Sequence, residues 1–237
     1  GILTTGSMID TSIWYFLRDI TSEGILDMYN DANNISKGAA LMTDTEVTSK
    51  IIGAASPRHF NKVIAQTMYE NILEVGLPKW SEEDQKLAKA VQKEVNSEIT
   101  NGLAVNVSSI GKPKEEPISG GSDDIGDISW TIPTVTLRFP SNIPGLQGHH
   151  WSNAITMATP IAHKGGIAGA KVVAMTIIDF LTNPILLNKA NNYFNNVQKK
   201  NGKYINFIPD NSPPPIYLNK YHSSCIYSNK GNNIDCN

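Results

Sequence analysis

The stretch from residue 120 to residue 171 constrains the fold and the function of this chain most, because it gathers most of the reactive side chains. Three of the five histidines and a group of aspartates lie in it or shortly after it: His149, His150, His163, Asp123, Asp124, Asp127 and Asp179. Imidazole and carboxylate groups bind metal ions and transfer protons. We therefore expect any chemistry of this chain to take place here.

The composition excludes several classes of protein. The chain has 237 residues, of which 40% are hydrophobic and 18% charged, and its net charge is -2. A chain of this length forms one large domain or two small ones. The charge balance provides no basic surface for nucleic acid. No apolar run reaches the roughly 18 residues of a membrane span, and the first residues lack the pattern of an export signal. We therefore expect a cytoplasmic protein without a membrane partner.

Three segments rich in β-branched and aromatic residues predict strands, at 12–20, 45–54 and 134–139. A helix is predicted between the first two strands. The order strand, helix, strand is typical of a sheet that has one face covered by helices. The predicted fold class is therefore α/β.

Apolar residues at helical spacing predict helices over 21–42, 62–75, 81–95 and 184–193. The first is expected to begin at Ser22, with an interruption near Asn33. Ser81 is expected to cap the third, because a serine followed by acidic residues suits the positive end of a helix. A further helix is predicted to open at His163, and its small residues would allow close packing on the sheet.

The remaining segments are predicted to be irregular. Residues 97–119 show no period, and the run Ser212-Pro213-Pro214-Pro215 favours extended polyproline geometry. The two cysteines, Cys225 and Cys236, both lie in the tail. They form either a single disulfide or, as a reducing compartment favours, two free thiols.

Each candidate site residue also has a structural interpretation. The sequence Gly120-Gly121-Ser122-Asp123-Asp124 is either a polar turn or a flexible loop that holds a cation or a ligand. His149 and His150 follow a long loop that contains two prolines and two glycines. Adjacent residues in extended backbone point to opposite sides, so at most one of the two faces a given site. A lone histidine on a loop is either a ligand or, more often, only a hydrogen-bonded side chain. His163 either holds the start of its helix in place or lies beside helix amides that bind an anion.

Three motifs carry a resemblance to a known family. They are Gly121-Ser122-Asp123-Asp124-Ile125-Gly126-Asp127, the loop Pro144-Gly145 to Gly148-His149-His150-Trp151, and Ala162-His163-Lys164-Gly165. They resemble the zinc aminoacylase, carboxypeptidase and amidohydrolase superfamily of metallopeptidases, and within it the p-aminobenzoyl-glutamate hydrolases. The segment at 13–19 resembles the strand of the family's dimerisation domain. The resemblance covers roughly residues 1–190.

The resemblance implies a hydrolase with two metal ions, zinc or manganese, that cleaves the amide bond of an N-acyl or N-aroyl amino acid. It implies that His149 is a metal ligand. His150 stands where the family usually has serine. The resemblance also places Ser122, Asp123, Asp124, Asp127, His150 and His163 beside the substrate.

The resemblance further implies that this chain corresponds to the C-terminal half of such an enzyme. Residues 1–55 would form part of an antiparallel dimerisation domain, residues 56–190 the C-terminal part of a zinc-exopeptidase-like α/β catalytic domain, and residues 191–237 an irregular tail. The family's catalytic glutamate and its other metal ligands have no counterpart here. We therefore expect a homodimer that works with an N-terminal half or a companion subunit. The alternative is a non-catalytic dimer-forming or ligand-binding remnant of the fold.

Overall fold

The computed structural model describes residues 12–111, 123–200 and 202–216. Their regular structure is helical: α1 (Ser22–Met42), α2 (Lys62–Val75), α3 (Glu82–Glu94), α4 (Ile125–Thr131), α5 (Trp151–Thr156), α6 (Pro160–Thr182), α7 (Pro184–Asn196) and a 3-10 turn at Gln198–Lys200. The chain divides into two compact units. The first contains residues 1–57, 118–124 and 204–237, and the second contains 58–117 and 125–203.

The prediction of an α/β fold is wrong. In the described residues no strand forms, so neither the sheet expected from 12–20 and 45–54 nor a catalytic sheet through 134–139 is present. The physical reason is that such segments become strands only when a neighbouring backbone pairs with their N–H and C=O groups. The first segment has no such ladder, and its Trp14 and Phe16 side chains are 64% and 80% exposed.

The segment at 134–139 packs against a helix instead of entering a sheet. The Thr134 carbonyl accepts the Asn61 amide at 2.8 Å. Farther along, the segment lies on α6, where a Cβ built at Gly169 would stand 3.2 Å from Cβ of Phe139. The apolar side chains therefore do find a packing partner, but the partner is a helix.

In the first unit, α1 begins at Ser22 as predicted. Thr21 is its N-cap, and its hydroxyl accepts the Gly24 amide at 3.1 Å. The interruption expected near Asn33 does not occur, because the Asn33 side chain donates to the Tyr29 carbonyl at 3.0 Å, within the helix. A side chain that bonds to the preceding turn satisfies its own polar group without ending the helix.

In the second unit, both ends of α2 are where the sequence predicts them. The Asn61 side-chain oxygen accepts the amides of Val63 and Ile64 at 3.1 and 3.3 Å, which satisfies two of the free amides of the first turn. At the other end Gly76 has a φ of 67°, a left-handed conformation that glycine adopts without strain.

The start of α3 confirms Ser81 as its cap and adds an ion pair. The Ser81 hydroxyl accepts the Asp84 amide at 3.2 Å, and the Asp84 carboxylate accepts the Ser81 amide at 2.8 Å. The same carboxylate is buried against the ammonium group of Lys164 on α6. The hydrogen bond from Lys164 is the main cause that lowers the pKa of Asp84, and the Ser81 bonds add to it. One carboxylate thus caps α3 and ties it to α6.

The interior of the second unit is formed where α6 meets α2, α3 and α7. A small apolar core joins α3 and α6 to the intervening loops, and it consists of Ala88, Leu103, Ile143 and Ile161, with Trp80, Val91 and Leu146 around it. Between α2 and α6 the contact is polar, since Asn71 donates to the Thr176 hydroxyl at 3.1 Å and to the Asp179 carboxylate at 2.7 Å.

Helix α6 has the length and the apolar composition of a membrane-spanning helix, although its inner side packs on protein. The expectation of no membrane partner stays a prediction.

Two adjacent glycines on α6 provide a matched test of this packing. A Cβ at Gly165 would overlap the Pro140 carbonyl and stand 2.5 Å from Cα of Ser141, whereas a Cβ at Gly166 would meet nothing within 4 Å. We expect Gly165→Ala to lower the free energy of unfolding by about 1–3 kcal/mol, since backbone must move. Gly166→Ala should raise it by about 0.5–1 kcal/mol through helix propensity. Urea unfolding followed by circular dichroism measures both, and equal effects of the two changes would contradict the close approach.

Candidate functional site

Side chains of α3 and of the turn after it bind the loop that carries His149 and His150. The Gln92 side chain donates to the Pro144 carbonyl at 3.0 Å, and the Ser97 hydroxyl donates to the Gly145 carbonyl at 3.0 Å. Ile143 anchors the loop in the core and is 3% exposed. A loop fixed at several points presents its side chains in defined positions, as binding sites require.

A second set of hydrogen bonds joins the loop to α5. The Asn142 side chain donates to the Asn153 side-chain oxygen and accepts the hydroxyl of Thr156. Its oxygen also accepts the Ile143 amide at 2.8 Å. Hydrogen bonds of Asn142 therefore join the start of the loop to α5, and His149 and His150 lie between the joined residues in sequence.

The structure distinguishes the two adjacent histidines. His150 is the N-cap of α5, where its Nδ1 lies 2.8 Å from the Ser152 hydroxyl and accepts the Ser152 amide at 3.4 Å. One nitrogen of that ring is therefore already used to start a helix. The His149 side chain is exposed, and its ring makes no hydrogen bond to the described residues.

The backbone of His149 is unusual for its place in the fold. Its φ is 59°, a left-handed conformation that few residues other than glycine adopt. Asp44 and Asn96 share this conformation with φ of 53° and 50°, but each directly follows the last residues of a helix, where it is common. His149 precedes a helix, so helix termination does not explain it. Such conformations cluster at functional sites.

The three aspartates of the first motif, Asp123, Asp124 and Asp127, lie before and after the start of a helix. Asp127 lies in the first turn of α4, a short helix that the sequence did not predict. Asp123 and Asp124 are exposed and belong to the first unit, whereas Asp127 belongs to the second. Ser122 lies outside the described residues. Their proposed contact with a substrate stays a prediction.

His163 lies within α6, one turn after its start. The helix begins at Pro160 with Thr159 as its N-cap, so the prediction that His163 opens it is wrong by one turn. Proline suits the first position of a helix because its ring fixes φ and the amide it lacks would be unbonded. The His163 amide is already bonded to the Thr159 carbonyl at 3.3 Å, and its side chain is exposed.

The chemistry of the donor set decides whether this chain holds a metal by itself. Among residues 12–111, 123–200 and 202–216 there is no group of three or more histidine, cysteine, aspartate or glutamate side chains that could hold a metal ion. Protein zinc sites use three or four such ligands. The described residues therefore do not fit a complete metal site.

A half-buried histidine that sequence reasoning did not select, His59, lies just before the start of α2. His59 Nδ1 lies 2.6 Å from the amide nitrogen of Gln198. The amide of Asn61 donates to the Gln198 oxygen at 2.8 Å, which fixes the orientation of the Gln198 side chain. The Gln198 nitrogen is then the donor, so His59 Nδ1 accepts and the proton of the neutral ring lies on Nε2.

The other side of the His59 ring is enclosed by aromatic side chains. Its centroid lies 4.1 Å from Trp130 in an edge-to-face arrangement and 6.2 Å from Phe194 in a stacked one. Nε2 is buried and finds no hydrogen-bond partner among the described residues. Burial lowers the pKa of His59 below its ordinary value. The sequence signal for this position is Pro57, two residues earlier, which indicates a loop before the helix predicted over 62–75 but does not indicate a partner for the ring.

With this geometry in hand, comparison with known proteins identifies the class of protein that the chain resembles: one component of a hydrolase. The curated relative is the B-type subunit of p-aminobenzoyl-glutamate hydrolase from Escherichia coli (strain K12), which is 25% identical over 209 residues. The match covers 79% of this chain and 44% of the relative, so the chain spans less than half of that protein's length. The resemblance given by the sequence motifs is confirmed at this distance.

Two further comparisons found nothing. No profile of a protein family matches the chain. No solved structure matches it either.

The His59 network predicts a pH dependence. Because the folded state lowers the pKa of His59, the unfolded chain binds more protons, and stability rises with pH. Its contribution should be complete above the unfolded pKa of about 6.5 and be lost as the pH falls towards the lower folded value. We expect His59→Asn, which keeps an acceptor for Gln198 but does not titrate, to flatten that part of the stability profile. Urea unfolding between about pH 5 and 8 measures it.

Gln147, an exposed residue of the second unit that carries no titratable group, supplies the control for this measurement. Gln147→Asn should leave the slope of stability against pH unchanged. A parent chain whose stability does not change across this range would contradict the lowered pKa of His59.

Proposed function

We propose that this chain is the C-terminal portion of a metal-dependent amidohydrolase that cleaves the amide bond of an N-acyl or N-aroyl amino acid similar to p-aminobenzoyl-glutamate. The observation that carries the proposal is the similarity, 25% over 209 residues, to a subunit of a hydrolase named for that substrate. The protein acts as a cytoplasmic homodimer in this proposal, and a companion polypeptide completes its site.

His149 is the proposed metal ligand of this chain. Three features support that role: an exposed ring, a left-handed backbone that helix termination does not explain, and a loop fixed to α3 and α5. His150 is the poorer candidate because its Nδ1 is used by Ser152. The ions are two zinc or manganese ions per site. The described residues of this chain supply too few ligands for two ions, so in this proposal the remaining ligands come from other polypeptide.

The substrate-binding residues of the proposal lie before, in and after the histidine loop in sequence: Ser122, Asp123, Asp124, Asp127, His150 and His163. The amino acid product and the substrate both carry a carboxylate. An imidazole N–H of His163 beside that carboxylate would donate a hydrogen bond to it.

A second function is favoured by the small number of ligands. A non-catalytic, dimer-forming or ligand-binding remnant of the fold would also lack a complete set of metal ligands. The described residues of this chain contain no group of three potential ligands. Such a remnant would bind N-acyl amino acids without metal and would not hydrolyse them.

The two functions are separated by metal content and hydrolysis together. The chain is combined with the part of the Escherichia coli relative that has no counterpart in it, and metal analysis and hydrolysis of p-aminobenzoyl-glutamate are measured. We expect His149→Asn, which tolerates a left-handed backbone, to remove bound metal and lower kcat by at least about a hundredfold. Substitution by alanine would add backbone strain and confuse the result.

Gln147 provides the matched control for this variant. It is an exposed polar residue of the same loop, so Gln147→Ala should keep both the metal and the activity of the parent within about twofold, as surface changes usually do. If His149→Asn retains the bound metal and the rate, its role as a ligand is refuted. A combined protein that binds the substrate but holds no metal and does not cleave the amide would establish the remnant.

A further inference from the structure

Helix α6 is apolar on two opposite sides. Its inner side is buried against the rest of the second unit and carries Ile161, Ala162, Gly165, Ala168, Gly169, Val172 and Thr176. On the opposite side, a row of exposed residues at steps of three and four begins at His163, and the apolar residues that follow it define the outer face of α6: Ile167, Ala170, Ala174, Ile178 and Leu181. Residues with this spacing lie in one row along a helix.

The outer face of α6 is exposed. Ile167, Ile178 and Leu181 are 61%, 56% and 78% exposed, and Ala170 and Ala174 between them are exposed too. A helix at the surface of a soluble protein normally has polar residues on its outer side, whereas a helix that is apolar all round is covered. Contiguous apolar patches on a surface mark places where another molecule binds.

We propose that the outer face of α6 is the surface on which the companion polypeptide docks, and this inference rests on the proposed function. The match covers 44% of the relative, so the rest of such a protein is longer than the part that this chain matches. That remaining polypeptide is long enough to cover the outer face of α6. The matching surface of the partner is uncharged and aliphatic. The two alanines leave space at the middle of the face for its side chains to approach closely.

A lipid bilayer is the less suitable occupant, because α6 is tied to neighbouring helices by polar side chains. Asp179 is bonded to Asn71 of α2, and Lys164 is paired with Asp84 of α3. Insertion across a membrane would break both contacts. It would also place the exposed Lys171, which lies near the middle of the helix, in the centre of the hydrocarbon, where a charge is strongly unfavourable.

The test measures binding between the full 237-residue chain and a defined partner, namely the part of the Escherichia coli relative that has no counterpart in this chain. Titration calorimetry compares the parent with Ile178→Lys and, as a second disruptive variant, Leu181→Lys. We expect each to weaken binding at least tenfold, since each places a charge in an apolar contact. Circular dichroism establishes that their helix content equals that of the parent.

Leu73→Lys is the matched control. Leu73 lies on α2 and is 54% exposed, close to the 56% of Ile178, so it carries the same kind of change on a different helix of the same unit. It should bind the partner with the affinity of the parent.

Several outcomes overturn the inference. The inference is wrong if the parent does not bind the partner, or if Ile178→Lys binds it as tightly as the parent does. It is also wrong if the chain alone forms a dimer that Ile178→Lys dissociates. The same holds if the parent sediments with phosphatidylglycerol–phosphatidylcholine vesicles and Ile178→Lys abolishes that sedimentation. Failure of the proposed function gives a different result: partner binding that depends on Ile178 with no hydrolysis. Restored hydrolysis that is indifferent to Ile178 would instead refute only the docking face.

Discussion

The arrangement of the second unit depends on the close approach of α6 to the backbone at Pro140 and Ser141. Only a residue without a Cβ at position 165 permits it. This contact brings Ile161 of α6 beside Ile143 of the loop in one core. The loop that carries His149 is therefore positioned from α6 as well as from α3. A side chain at this position would displace the apolar core and the histidine loop together.

Polar side chains do much of the work that apolar side chains do in larger cores. Gln92 is fully buried, and its amide bonds both the Gly102 backbone and the Pro144 carbonyl. A satisfied hydrogen bond contributes about 1 kcal/mol, but a buried group that loses its partner costs more. This asymmetry makes such networks specific, because a shifted loop leaves several groups unpaired at once.

Features that depend on neighbours in sequence could be predicted, and features that depend on distant residues could not. The ends of α2 and α3 follow from Asn61, Gly76 and Ser81, whose capping bonds reach only a few residues along the chain. The predicted strands do not form, because a strand needs a neighbouring strand that the segment itself does not specify. In the candidate site, the loop and its histidines could be identified. The role of His150 in capping α5 and the hydrogen bond between His59 and Gln198, 139 positions away, could not.

The bonds of Asn61 have a consequence for how the chain is made. Its side chain caps α2 and also donates to the Ala190 carbonyl and to Gln198, across separations of 129 and 137 positions. During synthesis on the ribosome, α2 emerges long before those partners exist. The first turn of α2 gains all its native contacts only after α7 and Gln198 have been translated, so this part of the second unit forms late in biogenesis.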